Sequence, residues 1–162
     1  MKTLGAKGLR ALKICHLLFA IMWIGGVMAL VSVQFGATPT TREMMYMAAE
    51  CQLVIDESFL ISGGVGIIVT ALAYGCMTKW GFFKHRWLTV KWILTFILVV
   101  IGAGYMGVTI KENMVYAGQL LDGKADVAKY WNNVHHVAIA GIIQLVLFVY
   151  VVCVSVVKPW KK

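Results

Sequence analysis

Proline and acid are scarce in this 162-residue chain, with two prolines and seven acidic side chains against fifteen basic ones. With so few prolines and no Ser/Pro or Gly/Ser stretch, no linker marks a second domain, and 1–162 reads as a single integral membrane domain. Charge is also scarce. Only 14% of residues are charged against 60% hydrophobic, too little polar surface for a soluble domain of this size. No phosphate-cradling glycine loop, nucleophile elbow or zinc-type Cys/His spacing occurs. Cys15, Cys76 and Cys153 fall near one side of the apolar runs and Cys51 near the other. That separation excludes a disulfide framework and makes all four read as buried apolar residues.

What is present is apolar sequence in four long runs. The pattern predicts helices over about 9–35, 52–78, 87–111 and 131–157, each able to cross a ~30 Å hydrocarbon core. Their short links predict an all-α, up-down four-helix transmembrane bundle surrounded by the lipid bilayer. The first run, Ile14 to Phe35, is 22 residues, too long for a signal h-region, and is expected to remain as an anchor. Residues 36–50 and 112–130 read as polar connections. Eleven of the fifteen basic residues lie before span one, around the link between spans two and three, or after span four. This asymmetry predicts cytoplasmic termini in a bacterial inner (plasma) membrane. The net charge of +8 then orients spans or meets anionic lipid, and nucleic-acid binding is excluded.

Small residues recur every fourth position at Ser58, Ser62, Gly66 and Thr70, at Ala103 and Gly107, and in the pair Val137 and Gly141. Such stripes let helix backbones approach in lipid. In span one, Lys13, His16, Ala20, Trp23, Val27, Leu30 and Gln34 form a seam that turns His16 into the bundle. Depth sorts the polar groups into two sets. His16 and Lys91 lie near the inner leaflet, with Trp87 as an interfacial anchor. Asp56, Glu57, Asn132, Asn133, His135 and His136 gather near the outer leaflet.

The row His136, Ala140, Gln144 drifts slowly around its helix, which predicts His136 facing inward and His135 facing headgroups. The alternative is that both histidines cap the interface. Histidines on two helices are what a bundle-crossing haem b needs as axial ligands, but His16 and His136 are expected to differ by roughly 20 Å in depth. Either there are two metal sites, one at each histidine, or His16 pairs with an unusual partner. Lys91 stands at the right depth to be that partner or to transfer protons once desolvated. Otherwise it snorkels or pairs with a haem propionate. Met44, Met45, Met47 and Cys51 offer soft Cu(I) ligands, although an amphipathic segment lying in the interface accounts for the same methionines.

The run Ala11-Leu12-Lys13-Ile14-Cys15-His16-Leu17-Leu18-Phe19-Ala20-Ile21-Met22-Trp23-Ile24-Gly25-Gly26 resembles the first helix of a superfamily of small membrane proteins. It includes the HemJ type of protoporphyrinogen oxidase, the membrane domain of copper-resistance D proteins and uncharacterised small integral membrane proteins. Trp87-Leu88-Thr89-Val90-Lys91 resembles the third-helix Trp-Leu-x-x-Lys motif of the HemJ type. Tyr130-Trp131-Asn132-Asn133-Val134 and Val156-Val157-Lys158-Pro159-Trp160 are similar to its fourth helix. The resemblance implies a bound haem b, with His16, Trp23, Trp87 and Lys91 at the cofactor and Lys91 as the catalytic position. The chain departs from the HemJ type at Leu30-Val31-Ser32, where that type has Pro-Arg, and at Gly102-Ala103-Gly104-Tyr105, where it has a further histidine. The haem is therefore the stronger implication and porphyrinogen oxidation the weaker. His135-His136 lies outside the pattern.

Three functions follow as expectations. One is a haem-b redox protein that oxidises a small reduced substrate and passes electrons to quinone or a respiratory membrane partner. Another is a metal or small-molecule permease with a Met-rich outer loop. The third is a non-catalytic subunit or homo-oligomer that docks through its small-residue stripes.

Overall fold

A computed structural model describes residues 4–78 and 81–159, to which all that follows refers. Span one is a single helix, α1 (Ala6–Gly36). Span two joins α2 (Arg42–Ile55) to α3 (Ser62–Met77) through a π-helical segment, Asp56–Ile61. Span three joins α4 (Arg86–Val99) to α5 (Gly107–Leu121) through a second π-helical segment, Val100–Met106. Span four is α6 (Val127–Val157). All four are long and apolar enough to cross a membrane. Their outward faces leave Leu18, Ile21, Phe35, Phe96, Val146 and Val149 exposed, as an integral membrane protein requires.

Neighbouring spans run antiparallel. Rising positions in span two meet falling ones in span one: Leu60 lies at Gly26, Gly63 at Trp23 and Gly66 at Phe19. Likewise Gly102 meets Gln144 and Met106 meets Gly141 between spans three and four. The end carrying Ala6 of α1, Val157 of α6 and residues 81–85 is called proximal below, and the end carrying links 37–41 and 122–126 is called distal.

Lipid tails are as apolar as these side chains, so assembly rests on close packing more than on burial from water. Glycine makes that possible at the span one–span two crossing. A Cβ on Gly63 would stand 2.7 Å from the Trp23 amide nitrogen, and one on Gly26 would stand 2.6 Å from Leu60 Cδ1. Trp23 then packs edge-on against Phe148 of α6, with ring centroids 5.0 Å apart. Around this pair Val27, Ile67 and Leu98 complete an apolar belt across mid-bundle.

Several expectations are corrected here. The helices of spans two and three continue far into the segments read as polar connections. Thr41 caps α2 by accepting the Met44 N–H at 3.3 Å, and Asp126 caps α6 by accepting the Ala128 N–H at 3.0 Å. A left-handed Gly123 (φ 71°) ends α5. The Met-rich stretch does not lie in the interface as a separate segment. Met45, Ala49 and Gln52 form a buried stripe on α2 that packs against α5. Of the predicted stripes, Gly66, Thr70 and Gly107 are buried, while Ser58, Ser62 and Ala103 are exposed. A π-helical segment widens its turn and breaks the local period, and Gly63 and Gly102, beside and within the two segments, take inward positions. The Val137–Gly141 pair does face inward, as does the span-one seam from His16 to Gln34. The four cysteines are free but lie on outward faces and not in the core.

Candidate functional site

At the proximal half, α3 packs on α1 and α4 packs on α6, while α3 and α4 pack mainly elsewhere than on each other. Phe82, from the link, fills part of the space between them. Its ring covers the position a Gly75 side chain would need and stands 5.9 Å from Trp92.

His16 opens toward this region from α1, half-buried. Its Nδ1 lies 2.7 Å from Thr70 Oγ1. The Thr70 hydroxyl donates to the Gly66 carbonyl at 2.6 Å, so its proton is committed and its oxygen accepts the Nδ1–H of His16. The Nε2 lone pair is then left with no hydrogen-bond partner among the described residues. Tyr74 sits edge-on to the imidazole, with centroids 5.5 Å apart, and fixes the ring plane. A histidine whose one nitrogen is held by an outer partner is the usual form of a metal ligand, since that partner sets tautomer and orientation.

Lys91 is half-buried on α4, within Coulombic reach of His16 and of Lys158. Lys158 caps α6 in a left-handed conformation (φ 48°), which carries its Nζ to 5.7 Å from the Trp87 ring centroid. Trp87, expected as an interfacial anchor, sits at the bundle end, buried against the protein and stacked on His85. Trp23 is a core residue two turns deeper than His16, against Gly63, Gly64 and Phe148. The structure thus sets Thr70 and Tyr74 directly against His16, with Lys91 near enough to feel its charge and Lys158 beside Trp87 at the same end. Thr70 was legible only as part of a packing stripe. Its pairing with His16 needed the antiparallel register of α1 and α3, which no local pattern encodes.

The distal set does not assemble as expected. His135 and His136 are both exposed. His136 lies beside Tyr105, with centroids 6.4 Å apart, at one end of an outward groove of about 320 Å³ whose walls include Val100, Ile101, Ile139 and Ile143. Asn133 takes the inward position instead. It lies eleven residues before Gln144, three full turns, whereas His136 lies eight before and has drifted off that face. Glu57 also turns out and meets Lys111 at 4.0 Å. Among the described residues no three His, Cys, Asp or Glu side chains converge as a metal would require. Met44 and Met47 are exposed while Met45 is buried, so the three do not face one point. Counting through the Trp23–Phe148 contact, His16 and His136 are ~28 Å apart along the bundle, further than expected and too far to share an iron.

A haem b needs an axial nitrogen, cations for its two carboxylates and apolar or aromatic walls. His16 Nε2, the Lys91 and Lys158 ammonium groups, and Tyr74, Phe82 and Trp92 supply groups of each kind at this end. In donor chemistry these residues suit such a group, with His16 as the one candidate ligand. No family model matches this chain, nor does any curated protein or solved structure.

Proposed function

We propose that this chain is an integral membrane redox protein that binds haem b at the proximal end through His16. The observation that carries the reading is the Thr70 Oγ1–His16 Nδ1 contact of 2.7 Å, which leaves Nε2 as the available ligand nitrogen. A bound haem b supplies reversible one-electron transfer. The chain's own part is orientation, charge and exclusion of water. Thr70 and Tyr74 hold the imidazole. Lys91 and Lys158 favour carboxylates, either those of the haem or those of an anionic reduced substrate, and Lys91 is placed to hold a proton released at that end. The belt of Trp23, Val27, Ile67, Leu98 and Phe148 closes the site off from the distal half.

Eleven of the fifteen basic residues precede span one, surround the link between spans two and three or follow span four, which on the positive-inside rule supports a cytoplasmic orientation of this site. The electron acceptor that suits a lipid-embedded donor is a quinone or a respiratory membrane partner. The permease reading loses its support once the methionines diverge and the outer histidines face outward.

Lys91→Met separates a working lysine from an anchoring one. Methionine keeps the stem volume and removes only the ammonium. The haem reading expects normal folding with an altered visible spectrum or midpoint potential, or lost turnover. If Lys91 only snorkels, spectrum, potential and activity stay at wild-type values and the assignment of Lys91 falls.

A further inference from the structure

Among the buried polar side chains of the distal half, which also include Gln52 and Thr109, five carry buried atoms with no partner and follow one another along the bundle. Gln144 (0% exposed) stands level with Leu60 and Gly102, where its Nε2 donates to the Leu98 carbonyl at 2.9 Å. One turn toward the distal end is Asp56 (2% exposed), whose Oδ2 would lie 3.4 Å from a Cβ on Gly107. The antiparallel registers put Gln34 a turn further on, then Asn113 (1% exposed) and Asn133 (6% exposed) facing the same depth from α5 and α6. Seven of their polar atoms are buried with no partner: Gln144 Oε1, Asp56 Oδ2, both amide atoms of Gln34, both of Asn113, and Asn133 Nδ2.

Buried polar atoms are normally satisfied, and groups of them at one place call for ordered water or a ligand. An intramembrane carboxyl without a paired cation marks an ion or proton route. The charged groups in reach of Asp56 are Lys111 of α5 and Glu57 of its own segment, and these stand 4.0 Å from each other on the outward face. Neither α1 nor α6 presents a titratable group at this depth: Leu30, Val31 and Gly141 face it. The amides supply both donors and acceptors in alternation, as a hydrogen-bonded water file requires and a bare cation does not. The roof of Met45, Ala49, Ala117, Leu120, Tyr130 and Val134 covers α2, α5 and α6. α1 stops at Gly36, short of that roof, so the row reaches the surface beside Gln34.

We infer that the distal half is a water file ending at Asp56, a site that takes up and releases a proton with the distal face. The proton bonds to a carboxylate oxygen of Asp56 and returns by the same waters. No oxidant or second reactant is involved, and the inference stands apart from the haem reading.

Infrared spectra of the full chain in lipid nanodiscs, recorded in H2O and after mixing into D2O, test it. A protonated carboxyl band that grows as the pH falls is expected between about pH 9 and about pH 6, above the range in which exposed carboxyls titrate. It is expected to be missing in Asp56→Asn and to shift in D2O within the mixing time. The double variant Asn113→Leu/Asn133→Leu keeps Asp56 and removes the file's amides, and its exchange is expected to slow by about tenfold or more, the weight of one buried polar contact. A band that survives Asp56→Asn, no carboxyl band across that range, no shift over hours, or equally fast exchange in the double variant would overturn the inference.

Discussion

Thr70→Val is expected to leave the bundle folded and to weaken haem retention by about ten- to a hundredfold, the usual cost of losing a ligand's outer partner. Valine keeps the branched shape of threonine on α3. The Gly66 carbonyl loses only an extra donor, since it already belongs to the helix ladder. The His16 N–H loses its acceptor altogether. An imidazole free to rotate and to exchange tautomers presents Nε2 for part of the time only. Titration of the detergent-solubilised apoprotein with haem, against wild type and a Thr70→Ser control that keeps the hydroxyl, measures the effect. Haem binding by Thr70→Val equal to that of wild type would remove the hydrogen bond from any role in ligation.

Gly63→Leu is expected to prevent spans one and two from seating. The side chain would have to occupy the place of the Trp23 backbone, whose amide nitrogen and Cα stand 2.7 and 2.9 Å from the first added carbon. Backbone in mid-helix cannot swing aside as a side-chain tip can. Even Gly63→Ala should cost about 1–3 kcal/mol, the range for overpacking a filled interior. Gly104→Ala is the matched control, since its Cβ meets nothing nearer than Val100 Cγ1 at 4.0 Å, and it should be near silent. Denaturant titration in mixed micelles reads the difference. A Gly63→Ala protein as stable as the control would mean that the crossing is looser than described.

Gly63 also illustrates where sequence reading stops. The number of spans, their antiparallel order and the inward face of α1 follow from run length and period, because apolar length and seam spacing are local properties. The two π-helical segments are not local in that sense. Nothing in Asp56–Ile61 or Val100–Met106 marks a change of ladder. Each breaks the four-residue period locally, so Ser58, Ser62 and Ala103, in or next to the segments, are exposed while Gly66, Thr70 and Gly107 of the same stripes stay inward. In span four, with no such segment, the Val137–Gly141 pair is placed correctly, and the error at His136 arises only from extending an eight-residue row past its drift. His16 and Lys91 were legible as expensive residues in apolar runs. Thr70 as the partner of His16, and Asp56 as an inward carboxyl beside an outward Glu57, depend on contacts between distant segments.

The central claim is that His16 binds haem, and the visible spectrum of the purified protein tests it most directly. Wild-type protein expressed with ample haem is expected to show a Soret band, and His16→Ala, purified in the same way with unchanged helical content, is expected to lack it or to show it shifted and weakened. Wild-type protein without a Soret band, or a His16→Ala protein with the wild-type spectrum, would contradict the assignment.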